Sequence, residues 1–381
     1  MISIFSFKKK NKEAVSEAFG GEIYPILINT ITTETLNNMN FDNIHDLTSL
    51  IIRTDSQWQN IIESFIIVLE SVKENFEYSN YCFVVDRFYF KDIQEILSWN
   101  KNVNFFIAEN EFDIESVKSI TNLNKEEFME LGSFINKKLI GNEYFKKRLV
   151  EELKKFRLFY TIEEQKIFSC LLFGASGIGK TETARIISKF LSPKEKLIKI
   201  NLGNYSGKES LSSLIGSPRG FVGSQEGELS SKILKSDSKV ILIDEFEKSD
   251  NTVHNFFLEL LEDGKFTDSL GREFDLSGYI IIFTSNVKQD NELDFFSPEL
   301  ISRFNLLFRF SALSVEEKKT LANNFETNFI NKIIEKQPNL SITYNDLSVI
   351  NSIDLDLDNI RDLKDNIMLN ISNKYFEIYD N

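Results

Sequence analysis

The octapeptide Gly174-Ala175-Ser176-Gly177-Ile178-Gly179-Lys180-Thr181 has the spacing G-x-x-x-x-G-K-[ST], and each residue type in it answers one need of a bound polyphosphate. Glycines let successive backbone N–H groups curl around a β-phosphate, and the start of the following helix adds a favourable dipole. The Lys180 ammonium would neutralise charge on the β- and γ-phosphates, and the Thr181 hydroxyl would ligate Mg²⁺. The cofactors this implies are ATP and Mg²⁺. The apolar run SCLLF before the loop and the segment ETARIISKFL after it supply the strand and helix that such a loop must join.

Further along, Val240-Ile241-Leu242-Ile243 runs into Asp244 and Glu245, an apolar strand that delivers two carboxylates. Asp244 can hold the hydrated metal, so the expected metal set is Thr181 and Asp244, while Glu245 can polarise an attacking water. The run Tyr279 to Phe283 ends in Thr284-Ser285-Asn286. Asn286 can orient that water or cap the next helix. Another stretch, IGSPRGFVGSQEG, sets one large aromatic, Phe221, and its neighbour Val222 among glycines that cannot bury them; by composition it is a flexible turn.

The elements that must position these residues alternate: SCLLF, ETARIISKFL, LIKINL, the glycine-rich stretch, KVILID, a helix through Val253 to Leu261, and YIIIFTSN. Strands alternating with helices imply a parallel, doubly wound sheet. After Phe310 the pattern becomes helical, with a short strand expected at LSITY and a last helix from about Asn359 to Phe376. Upstream, Glu22 to Glu109 mixes short apolar runs (IYPILI, YCFVV, VNFFIAE) with one helix-like pattern, SQWQNIIESFIIVLESVKENF. That reads as a small α/β domain with Trp58 and Trp99 in its core. The break TNLNKE precedes a charged helical stretch interrupted by a turn at Gly141 and Asn142. The expected domains are 1–120, 121–310 and 311–381.

Bulk properties exclude several classes. With 44 Lys and Arg against 58 Asp and Glu, the formal charge is −14, which disfavours non-specific attraction to nucleic acid. The cluster Lys8, Lys9, Lys10 and Lys12 is expected to be a solvated terminal tail. No apolar run approaches the roughly 20 residues of a membrane span, and MISIFSFKKKNKE has the reverse order of a secretory signal. A cytoplasmic protein without membrane contact is the expectation. Cys82 and Cys170 sit in apolar runs, and His45 and His254 have no neighbour at ligand spacing, so neither disulfides nor a zinc site is expected.

With these residues in order, the second part of the chain resembles the AAA+ superfamily, and within it the Clp-type unfoldases, most closely the second ATPase module of the ClpA/ClpB group. The resemblance runs from about Phe128 to Tyr375. It is carried by LIGNEYFKKRL, LGNYSGKESLSSLIGSPRGFVGSQEGELSSKI, VILIDEFEKSDNTVHNFFLELLEDGKFTDSLGREFDL, IIIFTSN, FSPELISRFN and NIRDLKDNI. It implies an AAA+ P-loop doubly wound parallel sheet with a C-terminal helical lid, preceded by the small α/β N-terminal domain. Ile140 and Gly141 would then contact adenine, a helix-breaking turn being the other reading. Arg303 in PELISRF matches the arginine finger that reaches a neighbouring subunit's γ-phosphate, against a plain surface salt bridge. Arg361 matches the lid's second sensor arginine, although Asn359-Ile360 stands where the family has Gly-Ala. Gly220-Phe221-Val222-Gly223 is similar to the Gly-Tyr-Val-Gly pore loop, so Phe221 and Val222 would grip a threaded polypeptide.

What the resemblance implies is a homohexameric, ATP-driven remodeller of protein substrates, with the first domain selecting a target or an adaptor. An ATP-controlled scaffold or switch without threading is the alternative, and a DNA-dependent AAA+ protein is disfavoured by charge. Between Asn286 and Pro298 the chain has only VKQDNELDFFS, too short for the family's peptidase-docking loop, so no peptidase partner is expected.

Overall fold

A computed structural model describes residues 2–7, 11–27, 31–37, 39–40, 43–54, 58–72, 81–112, 118–204, 210–217, 227–286, 295–338, 342–355, 357 and 359–379. The chain divides into two compact units, Met1–Ser116 and Val117–Asn381.

In the first unit, β1 (Ile2–Phe7), β2 (Ile23–Pro25), β3 (Ile44–Asp46), β4 (Tyr81–Asp86) and β5 (Val103–Ile107) form one sheet in the order β2-β3-β4-β1-β5. Every pairing is parallel. The helix Trp58–Val72 buries Ile62, Phe65, Ile66 and Leu69, the spacing that places four side chains on one face. Phe65 meets Phe83 of β4 edge to face, with centroids 5.5 Å apart.

Three features of this unit depart from what the sequence suggested. Ile2–Phe7 is an interior strand, with Ile4 opposite Phe83 on one side and Phe105 on the other, and it lies before the apolar runs that the sequence singled out between Glu22 and Glu109. Lys12, expected in a free tail, opens the helix Lys12–Ala18 and pairs with Asp46 at 3.3 Å; Lys8, Lys9 and Lys10 lie outside the described residues. Trp58 packs edge to face on Tyr89 beside the core. Trp99 is 48% exposed instead of buried, because it falls in the turn after the helix Arg87–Ile96 and not on that helix's inner face.

The second unit begins with the helix Lys125–Lys138, closed at its start by a reciprocal capping box between Asn124 and Glu127. A turn at Leu139–Asn142 leads into the helix Glu143–Thr161. Then follow β6 (Phe168–Phe173), β7 (Ile198–Asn201), β8 (Val240–Asp244), β9 (Lys265–Thr267), β10 (Glu273–Asp275), β11 (Ile280–Ser285) and β12 (Leu306–Arg309). β9 and β10 form an antiparallel hairpin not foreseen from the sequence. The other five form a parallel sheet in the order β12-β6-β11-β8-β7. Covered on both faces by helices, β6, β8 and β11 are almost continuously apolar and buried. This is the doubly wound P-loop architecture expected. Among the described residues no helix is long and apolar enough to cross a membrane.

The lid consists of the helices Val315–Lys336 and Ile360–Tyr379 around Ala322, Ile330, Leu347, Leu363, Ile367 and Ile371. Glu326 is completely buried in it. Its carboxylate accepts from Tyr344 Oη at 2.7 Å, Ser348 Oγ at 3.1 Å and the N–H groups of Val349 and Ile350, which is how a buried charge is kept satisfied. The short strand expected at LSITY is absent over its described part: Ile342 and Thr343 are unpaired, and Thr343 caps the helix Tyr344–Leu347. Asp346, at the third position of that helix, makes the capping bonds that draw the backbone out of an extended path.

Candidate functional site

The loop 174–181 leaves the carboxyl end of β6 and turns into the helix Lys180–Leu191. Gly174, Gly177 and Gly179 have φ of +130°, +77° and +101°, values that residues with a Cβ rarely adopt. Ile178 is buried in the core beneath the loop, so its side chain anchors the loop while its backbone stays at the surface of the cradle. Ala175 is exposed and Ser176 half-buried. Lys180 is only 4% exposed; its Nζ donates to the carbonyls of Gly174 at 2.7 Å and Ala175 at 2.6 Å.

Strand order brings the acids to this loop. β11 lies between β6 and β8, with Phe283 opposite Ile243, so Thr284 and Asp244 leave their strands side by side. Thr284 Oγ1 donates to Asp244 Oδ1, and Thr181 Oγ1 lies 3.5 Å from the same oxygen. On the other flank, Lys199 of β7 pairs with Asp244 Oδ2 at 2.6 Å. Burial pushes the Asp244 carboxyl up, but hydrogen bonds from Lys199 and Thr284, with the charges of Lys199 and Lys180, outweigh it and hold the group below the ordinary carboxylate range. A hydroxyl and an ionised carboxylate this close are the hard oxygen donors that suit Mg²⁺. Thr284 and Lys199 were not singled out from the sequence: their place depends on strand register, which no local motif encodes.

Glu245 follows in a left-handed conformation, φ 60° and ψ 44°, a turn that separates its side chain from that of Asp244. Its Oε2 accepts from Lys248 Nζ at 2.9 Å, and a Cβ on Gly203 would overlap the same oxygen. Asn286 is half-buried immediately after β11. Lys180, Thr181, Asp244, Glu245 and Asn286 thus all lie at carboxyl ends of parallel strands, the edge at which such sheets bind ligands.

Ile140 is half-buried, and Gly141 packs so that a Cβ would come 2.5 Å from Leu313 Cδ2 and 3.0 Å from Glu317 Oε1. Asn142 Oδ1 accepts from the Ser311 N–H at 3.2 Å. The candidate adenine segment is therefore fixed against the junction of the sheet with the first lid helix. Arg303 is not in the cradle of its own chain; its guanidinium pairs with Glu262 at 3.0 Å on the surface. Arg361 is exposed in the first turn of the last lid helix. Beside it, the Ile360 N–H donates to the Gly177 carbonyl at 3.3 Å, joining lid to loop.

Phe221 and Val222 lie outside the described residues, within 218–226. The residues bounding that segment are described. Gly227, which starts the helix Glu228–Leu234, lies so close to Ile215 and Gly216 that a Cβ would overlap their backbone. Ile215 in turn accepts at its carbonyl from the Ser269 N–H at 3.1 Å. Ser269 belongs to the turn between β9 and β10, which the buried Asp268 holds through the N–H groups of Leu270 and Arg272.

Residues 165–336 match the model of the AAA domain (Cdc48 subfamily). The chain is also similar to the chaperone protein ClpB of several bacteria. It is 31% identical to that of Prochlorococcus marinus over 233 residues, which cover 61% of this chain and 26% of the relative. It is 28% identical to those of Staphylococcus epidermidis and Staphylococcus aureus over 251 residues, covering 60% of this chain and 29% of each relative. The chain thus spans under a third of the length of these relatives. The family match runs from just before β6 to the end of the first lid helix, so it is this segment of the chain, with its phosphate loop and the acids at the end of β8, that is similar to AAA domains and to the ClpB chaperones.

Proposed function

We propose that the chain is an ATP-hydrolysing remodeller of protein substrates that works as a ring, a homohexamer, and that threads polypeptide past Phe221 and Val222. The observation that carries the reading is the meeting of Lys180, Thr181, Asp244 and Thr284 where β6, β8 and β11 end. The similarity to ClpB chaperones supports protein as the substrate, and the amino-terminal unit would choose the target or an adaptor.

In this reading the N–H groups of 174–181 cradle the phosphates and Lys180 neutralises them, while Ile140 and Gly141 receive the adenine. Thr181 and Asp244 hold Mg²⁺, which, when bound, neutralises charge on the β- and γ-phosphate oxygens. Glu245 accepts the proton of the attacking water, a role worth about 10² to 10⁴ in rate, and Asn286 orients that water. Arg303 leaves Glu262 to stabilise charge at a neighbour's γ-phosphate, and Arg361 reports nucleotide state to the lid.

Lys180→Ala is expected to lose ATP binding, and Glu245→Gln to bind ATP, stop turnover and retain captured polypeptide. Rapid hydrolysis by Glu245→Gln, or full ATPase activity from a monomer in light scattering, would overturn the proposal. A second reading, a nucleotide-controlled switch without threading, draws on the Ile360 to Gly177 hydrogen bond, since loop and lid are joined without any substrate. Phe221→Ala separates the two: lost remodelling with retained ATPase supports threading, and full remodelling supports the switch.

A further inference from the structure

The lid touches the phosphate loop through a side chain that neither motif accounts for. Asn359 stands at the start of the last lid helix, where its Oδ1 accepts from the Arg361 N–H at 2.9 Å and its carbonyl accepts from the Leu363 N–H at 3.1 Å. The same carboxamide lies on Gly177. Its oxygen would overlap a Cβ there, and its nitrogen is 3.6 Å from that Cβ position. The fit therefore requires glycine at 177 and brings a polar lid side chain onto the middle of the loop.

We propose that Asn359 contacts the bound nucleotide directly, its Nδ2 amide donating to a phosphate oxygen held by the loop. The inference rests on reading 174–181 as the nucleotide site. Because Oδ1 is committed to capping the helix, the group left for a ligand is a donor, which is what an anion requires. Being neutral, it responds to where the phosphate sits and little to distant charge. The Clp pattern that the chain resembles usually has glycine at this position, so the contact is not one which that pattern supplies, and it adds to whatever Arg361 contributes.

Capping and ligand binding respond oppositely to two substitutions. Aspartate caps a helix about as well as asparagine but sets a carboxylate against the phosphates; alanine removes cap and donor and adds no charge. On the full chain, calorimetry with a slowly hydrolysed ATP analogue should show binding weakened on the order of tenfold in Asn359→Ala and 100-fold in Asn359→Asp. Nucleotide-free Asn359→Asp should unfold at the wild-type temperature. Wild-type binding by Asn359→Asp would reduce the residue to a cap and overturn the proposal, as would wild-type binding by a folded Asn359→Ala. Lys180→Ala separates the levels: wild-type binding by that variant removes the site reading itself, whereas its loss beside an unaffected Asn359→Asp removes only Asn359. Should the alanine variant fail to fold, the aspartate variant still decides.

Discussion

Asp244 and Lys199 form an ion pair of 2.6 Å across neighbouring strands, at the carboxylate proposed to hold the metal. The Lys199 side chain is 38% exposed, so it can swing into solvent when a divalent cation takes its place. Lys199→Met removes that competitor. The Mg²⁺ concentration that half-saturates ATP binding is then expected to fall about fivefold, the equivalent of a partly exposed pair. A titration showing an unchanged or higher Mg²⁺ requirement would mean that Lys199 does not compete at Asp244.

Gly203 leaves room for the Glu245 carboxylate. Its alanine variant should push that flexible side chain aside at little cost to the fold. Turnover is expected to drop at least tenfold, given how steeply rate depends on the placement of reacting groups, with ATP affinity and melting temperature unchanged. Steady-state kinetics beside calorimetry check this; wild-type turnover would dissociate Gly203 from the placing of Glu245.

Arg303 and Glu262 are both well exposed, so their pair adds about 0 to 1 kcal/mol to stability. Glu262→Ala should therefore leave melting and ATPase activity close to wild type. Arg303→Ala should lower ATPase activity of the assembled protein by about 10³ or more with no change in melting. If both variants lose the same small amount of stability and neither loses activity, Arg303 is a surface ion-pair residue only.

His254 gives the fold a pH dependence. Burial pushes its imidazole below the ordinary value of 6.5, against the Phe246 carbonyl and Asp250, which pull it up. The unfolded chain thus takes up a proton near pH 6.5 that the folded chain refuses, so this contribution is complete above that value and is lost as pH falls below it. Melting temperature should drop between about pH 7 and pH 5.5, and the drop should be shallower in His254→Phe. Parallel curves for the two proteins would exclude His254 as the source.

Much of the second unit was legible because its constraints are local. The loop glycines answer to positive φ, and β6, β8 and β11 read as apolar runs because helices cover both faces. What stayed hidden depends on partners far away in sequence. Ile2–Phe7 becomes an interior strand only by pairing with Tyr81–Asp86 and Val103–Ile107. Thr284 and Lys199 reach Asp244 through register, and Glu326 reads as an ordinary helix-surface acid until the 344–350 segment folds over it. Trp99 misled because an aromatic's hydrophobicity says nothing of whether the helix has already ended.

The close approach of Gly227 to Ile215 and Gly216 has a mechanical meaning under the threading proposal. The roots of the segment that carries Phe221 lie against one another, so a load on that segment would be delivered to the domain at one place rather than two. Tension would pass jointly into the helices Ser210–Ile215 and Glu228–Leu234. Through the hydrogen bond from Ser269 to Ile215 it would also reach the β9–β10 turn, making that hairpin a brace for the stroke.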